Sequence, residues 1–344
     1  MSDWDFSVAT PQLNILIVKL SSLGDVVHAM PAVQDIRRAL PHARIDWVVE
    51  RGFAPLVRRC TGVDRVIACE LRRWRKAPFS AATRAAWQVF KAELQTEAYD
   101  AVIDLQGLSK SALVAWLARL TPGGRRYALA NQTEGSGYEA PTRWVAHTAI
   151  RLRPHVHAVQ RSRLLCAQAL GYDMPVGEAV YGLQAQAQAQ ALAPAAVDGR
   201  PCVALVHGTS RADKEWPVAY WLDLARRLDA QGYAVALLHG SDAEAQRSED
   251  LARAMAHATV WPRLALDALT DALAACAGVI GVDSGVSHMA VALDLPHVQI
   301  YNFDTAWRTG PSSQARCQRS VYAHPAPDVE AVWQAWLAVA PVVR

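Results

Sequence analysis

The chain has 344 residues, of which 52% are hydrophobic and 19% are charged, and its formal net charge is +3. This length exceeds what one hydrophobic core usually supports, so we expect two domains. The nearly balanced charge argues against a nucleic acid polymer as a partner. Residues 1–11 lack the basic region and apolar core of a signal peptide, and no uninterrupted apolar run of about 20 residues follows. We therefore expect a protein that is neither exported nor embedded in a membrane.

Six cysteines are spread along the chain without a C-x-x-C pair or a zinc spacing: Cys60, Cys69, Cys166, Cys202, Cys276 and Cys317. Most of them stand in apolar segments. This distribution is typical of buried, reduced thiols in a cytoplasmic protein. The sequence predicts no metal site and no cofactor.

The first half of the chain alternates short apolar strands with helices. Residues 13–18 form an unalternated, β-branched run, which is typical of a parallel strand buried on both faces. Further strands are predicted over residues 45–49, 66–69 and 101–105. Helices are predicted over residues 25–40, 54–59 and 157–170, and another follows the strand at 101–105 and ends near residue 120. Residues 121–154 follow no pattern, so we expect loops there with one helix near residues 143–151.

A second series of strands and helices begins after a change in composition. Residues 184–191 are a Gln-Ala run, and prolines, alanines and an Asp-Gly pair follow, which is typical of a linker. The pattern then predicts strands over residues 202–206, 234–238, 279–282 and 298–301, and helices over residues 218–230, 243–256, 266–276, 285–293 and 328–337.

These elements predict an α/β fold with two Rossmann-like domains, each a doubly wound parallel sheet, that face each other across a cleft. The predicted first domain covers residues 1–180, the linker residues 181–200 and the second domain residues 201–325. Residues 326–344 are predicted to form a C-terminal helix, which could pack back on the first domain.

Asp25 stands where the first predicted strand turns into a helix. In an open α/β sheet, ligands bind beyond the carboxyl ends of the strands, so Asp25 would lie at the rim of a site. The start of a helix would also keep the pKa of its carboxyl low. A second interpretation is that Asp25 only caps its helix. The residues alone leave both interpretations open.

Two loops of the second half have the composition of an anion site. Residues 207–217 follow a strand and carry small hydroxylated residues, Lys214 and Pro217, which could offer backbone N–H groups and a cation to a phosphate. Residues 281–288 follow another buried strand, and exposed N–H groups there would favour an anion at a helix start. The alternatives are a solvated loop and a helix that is merely capped by Ser284.

Several signatures of nucleotide chemistry are missing from the sequence. Neither G-x-G-x-x-G after the first strand nor G-x-x-x-x-G-K-[ST] occurs, which argues against a dehydrogenase and against a P-loop NTPase. Asp-x-Asp is absent from every predicted strand end. The anion would therefore be neutralised by Lys214 and by helix N-termini, without magnesium.

Residues 71–76 carry four cations in five residues at the end of a strand. Such crowding is unfavourable unless an anion relieves the repulsion. We therefore predict that an acidic acceptor binds there, with Arg51, Arg58, Arg59 and Arg65 extending the positive face. A solvated basic surface is the alternative.

Seven blocks carry a resemblance to a known family: residues 17–28 (Ile-Val-Lys-x-Ser-Ser-x-Gly-Asp-Val-x-His), 47–50 (Trp-Val-Val-Glu), 72–76 (Arg-Arg-Trp-Arg-Lys), 104–111 (Asp-x-Gln-Gly-x-x-Lys-Ser), 157–161 (His-Ala-Val-x-Arg), 213–217 (Asp-Lys-x-Trp-Pro) and 282–288 (Val-Asp-x-Gly-x-Ser-His). Together they resemble the lipopolysaccharide heptosyltransferases over most of residues 14–301. The blocks at 47–50 and 72–76 indicate the first type, which adds the first heptose to the inner core.

The resemblance implies a GT-B glycosyltransferase that inverts the anomeric centre without a metal. It would move L-glycero-D-manno-heptose from ADP-heptose to a Kdo residue of Kdo2-lipid A. The protein would then be peripheral on the cytoplasmic face of the inner membrane. By position, the resemblance makes Asp25 the general base. It assigns donor binding to Thr209, Ser210, Lys214, Glu244, Asp283, Ser284, Gly285 and His288, and acceptor binding to Ser22, Gly24, Arg72, Arg75, Lys76 and Gln106.

The chain departs from this family in two segments. Residues 302–307 lack the expected Tyr-Gly-Pro-Thr form, and residues 121–143 match little and could contact the acceptor. Glu244 is expected in a loop, where it could accept from ribose hydroxyls. Three other functions stay open: a heptosyltransferase with another acceptor, such as one that adds the second heptose, a GT-B nucleotide-sugar epimerase, and a nucleotide-binding scaffold without catalysis.

Overall fold

The computed structural model describes residues 12–186 and 196–341. The expectations for residues 1–11 and for most of the Gln-Ala run fall outside these ranges. Within them, no helix combines the length and the apolar character that are needed to cross a bilayer. All six cysteines lie in the described ranges, and all are free. Five are buried as predicted, whereas Cys317 is partly exposed.

The first half folds into one parallel sheet with helices on its faces. Its strands are β1 (Asn14–Val18), β2 (Arg44–Glu50), β3 (Arg65–Cys69), β4 (Ala98–Asp104), β5 (Arg119–Leu129) and β6 (Thr148–Ile150). Its helices are α1 (Leu23–Ala39), α2 (Ala54–Val57), α3 (Leu71–Trp74), α4 (Ala81–Leu94), α5 (Ser109–Leu117), α6 (Pro141–Val145) and α7 (Ala158–Leu170). The strand order is β3-β2-β1-β4-β5-β6, which reverses between β1 and β4.

The second half repeats this architecture. After the two-residue strand β7 (Ala196–Val197), its strands are β8 (Arg200–Val206), β9 (Ala234–Leu237), β10 (Ala258–Val260), β11 (Gly278–Val282), β12 (His297–Tyr301) and β13 (Gln318–Tyr322). Its helices are α8 (Val218–Ala230), α9 (Asp242–Arg253), α10 (Leu266–Ala274), α11 (Gly285–Ala292), α12 (Ala306–Thr309) and α13 (Val329–Leu337). The parallel order is β10-β9-β8-β11-β12-β13, with β7 antiparallel to β8, so the order reverses between β8 and β11.

Segment 121–154 is where the expectation for the first half is wrong. The strands β5 and β6 lie in this segment, where we expected loops. The helix α6 covers residues 141–145, so it overlaps only the first three residues of the helix predicted near 143–151. β5 is mostly exposed along its first residues, and its register with β4 shifts between Tyr99 and Ala101. An exposed, irregular strand has no clean alternation, which explains why the sequence pattern failed there.

The C-terminal helix packs on the second domain, so the expectation that it reaches back to the first is wrong. Val329, Val332 and Trp336 of α13 are buried in one cluster with Val298 and Ile300 of β12. The indole of Trp336 fills the space above Gly278 in β11, where a Cβ would lie 2.6 Å from the ring. The apolar face of α13 therefore covers the second sheet.

The two sheets meet through α1 and α11, the helices that follow β1 and β11. Their apolar side chains belong to one cluster that continues from the first sheet into the second. Each helix starts at the point where the strand order of its sheet reverses, which is where open α/β sheets bind ligands. The predicted GT-B arrangement of two Rossmann-like domains is confirmed.

Candidate active site

Asp25 lies in the first turn of α1, beyond the carboxyl end of β1. Its Oδ2 accepts hydrogen bonds from the Ser22 backbone N–H at 3.1 Å and from the Ser22 hydroxyl at 2.9 Å. Ser22 is the N-cap residue of α1, and a carboxylate in the first turn commonly binds the N–H of that residue. The capping interpretation is therefore correct for one oxygen of Asp25, and the other oxygen stays available for chemistry.

The second oxygen of Asp25 faces two cations. Oδ1 lies 3.5 Å from Lys19 Nζ and 3.7 Å from Arg161 Nη2. The side chains of both cations are almost fully buried, at 2% and 6% exposure, whereas that of Asp25 is 36% exposed. Asp25 is thus the member of this cluster that a substrate can reach.

The charge of Asp25 is set by these neighbours. Burial alone would raise the pKa of Asp25, but the Lys19 cation, the hydrogen bonds from Ser22 and the Arg161 cation outweigh it and lower the pKa to about 2. Burial lowers the pKa of Lys19, and the Asp25 carboxylate opposes that shift. The carboxylate is therefore ionised throughout the neutral range, as the sequence predicts. The sequence analysis attributed the low pKa to the helix start, whereas in the structure it results from the two cations and the Ser22 hydrogen bonds.

Gln106 holds the segment in front of α1 in place. Its Oε1 accepts from the backbone N–H groups of Leu20 at 3.1 Å and Ser21 at 3.0 Å. Asp104, at the end of β4, accepts in turn from the N–H groups of Gln106 and Gly107. The side-chain oxygen of Gln106 is thus used by the loop itself, and contact of this residue with the acceptor stays a prediction.

Lys214 and Asp283 form an ion pair in the second half of the site. Lys214 Nζ donates to Asp283 Oδ2 at 2.6 Å. Asp283 Oδ1 lies 3.4 Å from His288 Nε2 and accepts from the Thr309 hydroxyl at 3.5 Å. Burial would raise the pKa of Asp283, but the His288 hydrogen bond and the Lys214 cation lower it well below its ordinary value. The two residues, for which the sequence predicts different parts of the donor, therefore bind each other in the free protein.

Two glycines of the predicted site allow the domains to touch. A side chain at Gly24 would collide with His288, because its Cβ would lie 2.7 Å from the ring Cδ2. A side chain at Gly285 would collide with Leu23, at 2.7 Å between the Cβ atoms. The hydroxyl of Ser284 caps α11, which is the role that the alternative interpretation gives it. The contacts of these residues with substrate stay predictions.

His288 connects the two halves of the site. It approaches Asp283 on its own domain, and its ring lies 4.2 Å from that of His28 in α1, measured between centroids. Burial and the neighbouring imidazoles of His288 and His157 lower the pKa of His28 well below its ordinary value, so His28 is neutral. The helix α1, which carries Asp25 and His28, therefore contacts His288, the neighbour of Asp283.

Glu244 lies beside the loop that carries Thr209 and Ser210. It belongs to the first turn of α9, so the expectation that it lies in a loop is wrong. A side chain at Gly208 would meet its carboxylate at 2.8 Å. The Thr209 hydroxyl donates to the Asp283 backbone carbonyl at 3.4 Å, and Ser210 is exposed. The structure therefore brings predicted donor residues of three separate segments of the second domain close together.

The predicted acceptor cations Arg72, Arg75 and Lys76 are exposed around α3. Among the described residues, none of their side chains has an acidic partner within salt-bridge distance. Beside Arg75, a groove of about 400 Å³ runs between α3 and α4, with Trp74 and Trp87 among its lining residues. The three charges are thus free to meet an anion, next to an apolar surface.

The positive face is smaller than the sequence predicts. Arg59 Nη2 binds Asp271 Oδ2 of the second domain at 2.7 Å, and Arg65 Nη2 binds Asp46 Oδ2 at 2.8 Å. These guanidinium groups are neutralised inside the protein, and the expectation that they extend the acceptor surface is wrong. Arg58 is exposed and has no ion pair among the described residues, whereas the exposed Arg51 lies 3.5 Å from Glu70. The exposed charges are therefore those around α3 together with Arg51 and Arg58.

Three residues of the site had no role in the sequence interpretation. Lys19, Arg161 and His157 stand in blocks that carry the resemblance, but only folding brings them to Asp25 and to the domain interface. The available signal was a lysine directly after a buried strand, where a charged side chain needs a partner. In the part of the chain that is described, no group of three or more His, Cys, Asp or Glu is placed to hold a metal ion.

Comparisons with known proteins agree with this architecture. The family model described as "Glycosyltransferase family 9 (heptosyltransferase)" matches residues 87–334. The lipopolysaccharide heptosyltransferase 1 of Pseudomonas aeruginosa is 39% identical over 289 residues, which cover 84% of this chain and 78% of that protein.

Two solved structures of the Escherichia coli heptosyltransferase WaaC are similar along nearly the whole chain. The complex with ADP has a TM-score of 0.81 and 34% identity, and the complex with ADP-2-deoxy-2-fluoro heptose has a TM-score of 0.78 and 33% identity. Each comparison covers 94% of this chain and 98% of the other. Since the family model matches most of the chain and the relatives exceed a third of identical residues, the chain belongs to glycosyltransferase family 9, the heptosyltransferases.

Proposed function

We propose that this glycosyltransferase moves L-glycero-D-manno-heptose from ADP-heptose to a Kdo residue of Kdo2-lipid A, with inversion and without a metal. The observation that carries the proposal is the Asp25 cluster, where one carboxylate oxygen is bound at the helix start, the other lies beside two cations, and the side chain is 36% exposed. The relatives named as heptosyltransferase 1 and the WaaC complexes with ADP and a fluorinated ADP-heptose support the donor.

The donor is assigned to the second domain. Lys214 would leave Asp283 partly and bind the diphosphate, while Asp283 would accept hydrogen bonds from heptose hydroxyls. Thr209, Ser210 and the N–H groups at the start of α11 would complete the diphosphate site, because a helix N-terminus favours negative charge. The carboxylate of Glu244, beside this loop, would accept from the ribose hydroxyls.

The reaction is a single displacement at the anomeric carbon. The acceptor oxygen forms a bond to C1 of heptose while the bond from C1 to the β-phosphate oxygen breaks, and its electron pair leaves with ADP. The acceptor hydroxyl proton passes to Asp25. A carboxylate with a pKa of about 2 can take this proton because the hydroxyl becomes strongly acidic as its oxygen bonds to C1. Lys214 and the N–H groups stabilise the charge that grows on ADP.

The acceptor is assigned to the first domain. Arg72, Arg75 and Lys76 are exposed cations without an acidic partner among the described residues, and the acceptor carries carboxylates and phosphates. Phe79, which follows them, is 86% exposed. An exposed aromatic side chain beside cations suits the surface of an anionic membrane, so we place the protein on the cytoplasmic face of the inner membrane.

A transfer assay tests the proposal. The protein is incubated with ADP-heptose and Kdo2-lipid A, and the lipid product is analysed by mass and by the configuration of the new glycosidic bond. We expect addition of one heptose with inverted configuration, also in the presence of a chelator. Transfer only to an acceptor that already carries heptose would indicate the second type. A changed sugar in the absence of any acceptor would indicate an epimerase, and no reaction with retained ADP binding would indicate a scaffold.

A further inference from the structure

The end of the divergent segment 302–307 and the residues that follow it contact the first domain across the domain interface. Trp307, in α12, stacks on His155 of the first domain with 3.6 Å between ring centroids. The Gly310 carbonyl lies 3.0 Å from His157 Nε2. Between them, the guanidinium of Arg308 lies against Gly135, which belongs to the divergent segment 121–143.

The loop around Gly135 is shaped to receive this guanidinium. A Cβ on Gly135 would collide with Arg308, and the φ of Gly135 is +68°, a conformation that favours glycine. Two residues earlier, the Thr133 hydroxyl accepts from Arg161 Nη1 at 3.2 Å. The same loop therefore contacts both Arg308 of the second domain and Arg161, which faces Asp25.

Arg308 has no counter-charge of its own. Its half-buried side chain makes no hydrogen bond and no ion pair with any residue that the structure describes. Burial lowers the pKa of Arg161, the Asp25 carboxylate opposes this, and the Arg308 cation adds to the lowering. The two guanidinium groups contact the same loop, at Gly135 and at Thr133.

Charge is therefore unbalanced at this end of the cleft. Lys19 and Arg161 lie beside the Asp25 carboxylate, and the Asp104 carboxylate also acts on Lys19. With Arg308, three cations therefore share two carboxylates. Asp283, another carboxylate of the site, is already paired with Lys214. The surplus charge is the unpaired, half-buried guanidinium of Arg308, and a bound anion would neutralise it.

We propose that Arg308 binds an anionic group of a substrate beside Arg161, and so closes an anion site that is built from both domains. This rests on the proposed function, because the reaction brings two such groups to the cleft, the carboxylate of the acidic acceptor sugar and the diphosphate of the donor. Arg308 reaches from the donor domain over the acceptor domain, so the anion also holds the two domains together. A guanidinium suits either group, since it can bind two oxygens at once.

Arg308→Ala and Arg308→Lys test this inference, with Arg316→Ala as the matched control. Arg316 is an exposed arginine of the same domain that has no ion pair among the described residues. Calorimetry measures the binding of two probes, ADP and Kdo2-lipid A in detergent, to each variant. We expect Arg308→Ala to weaken the binding of one probe about tenfold, the loss that follows from about 1.4 kcal/mol. Arg308→Lys should retain part of it, and Arg316→Ala should stay within twofold of the wild type.

The probe that is lost identifies the source of the anion. Weaker Kdo2-lipid A binding with unchanged ADP binding assigns Arg308 to the acceptor carboxylate, and the reverse assigns it to the donor diphosphate. Binding of both probes within twofold of the wild type in Arg308→Ala would overturn the inference. These binding measurements do not depend on turnover. If the wild-type protein failed to transfer heptose, the proposed function would be refuted, but ADP binding by the Arg308 variants would still test the anion site.

Discussion

Replacing Asp283 by asparagine separates nucleotide binding from sugar binding. In the free protein, the Asp283 carboxylate holds the Lys214 ammonium at 2.6 Å, with side-chain exposures of 6% and 19%. A donor diphosphate must compete with Asp283 for this ammonium. Asp283→Asn keeps the size of the side chain but removes its charge. We therefore expect the variant to bind ADP more tightly and to transfer heptose more slowly.

The magnitude follows from the ion pair. A hydrogen bond between charged groups contributes about 1.5–3 kcal/mol. The asparagine carbonyl can still accept from Lys214, so roughly half of this is released to the nucleotide, which corresponds to ADP binding roughly 3- to 12-fold tighter. Loss of the carboxylate from the heptose hydroxyls removes a similar bond on the sugar side. It should lower kcat/KM for ADP-heptose by roughly 10- to 100-fold.

Calorimetry with ADP and steady-state kinetics with ADP-heptose measure the two effects on the same preparation. Thr309→Val is the control, because it removes a 3.5 Å hydrogen bond to Asp283, together with weak bonds to Tyr301 and Thr305, but no charge. Thermal unfolding of both variants establishes that they are folded. ADP binding weakened tenfold in Asp283→Asn would refute the reasoning, because Asp283 would then be positioning Lys214 rather than competing for it.

Three further predictions concern the first domain. Replacing Arg72, Arg75 and Lys76 together by alanine should raise the KM for the acceptor far more than that for the donor, because we assign these exposed cations to acceptor binding. Kinetics at varied concentrations of each substrate measure both constants. Phe79→Ser should reduce sedimentation with anionic lipid vesicles, because an exposed aromatic ring is lost. Asp25 has a folded-state pKa of about 2 against 3.8 when unfolded, so its contribution to stability is complete above about pH 3.8 and is lost towards pH 2. Asp25→Asn should therefore flatten the acid limb of stability in denaturant titrations.

Each of these predictions has an outcome that contradicts it. If the triple substitution raised the KM values for acceptor and donor equally, the three cations would be a general surface charge and not an acceptor site. Val218→Ser, at a valine that is 55% exposed on the second domain, is the control for the vesicle experiment, and equal losses in both variants would mean that the Phe79 surface is not special. An unchanged acid limb in Asp25→Asn would mean that the carboxylate interactions of Asp25 persist in the unfolded chain.

The central strands of both sheets could be predicted from sequence because they are buried on both faces. Ile15, Leu16, Ile17 and Val18 of β1 are all fully buried, so an unalternated apolar run identified the strand without tertiary information. Edge strands gave no such signal. β10 has three partly buried residues and β13 alternates, with polar residues among its five, so both were absent from the sequence interpretation.

The site shows the same division. Asp25, Lys214 and Asp283 stand at strand ends where the strand order reverses, and their positions followed from the pattern of strands and turns. The partners of these residues could not be predicted. Arg161 approaches Asp25 from a helix that is 136 positions away in numbering (161 − 25), and such a contact is created by the packing of α7 on α1.

The glycines illustrate a further limit of sequence reasoning. A glycine after a strand suggests a close approach of the backbone to some group, but the sequence does not say which. The sequence interpretation expects a ligand near Gly285, which stays a prediction, and the structure places Leu23 of the other domain against this glycine. The close approach was predicted, but the contact with a helix of the first domain was not.

Single-turnover measurement of Asp25→Asn tests the central claim most directly. Asparagine can still accept the hydrogen bonds from Ser22 that cap α1, so the helix start is preserved while the proton acceptor is removed. The account predicts a rate lower by about 10²- to 10⁴-fold, the usual contribution of a general base, with ADP binding within twofold of the wild type, and the same loss in Asp25→Ala. Wild-type turnover in Asp25→Asn would contradict it and would leave Asp25 as a helix cap.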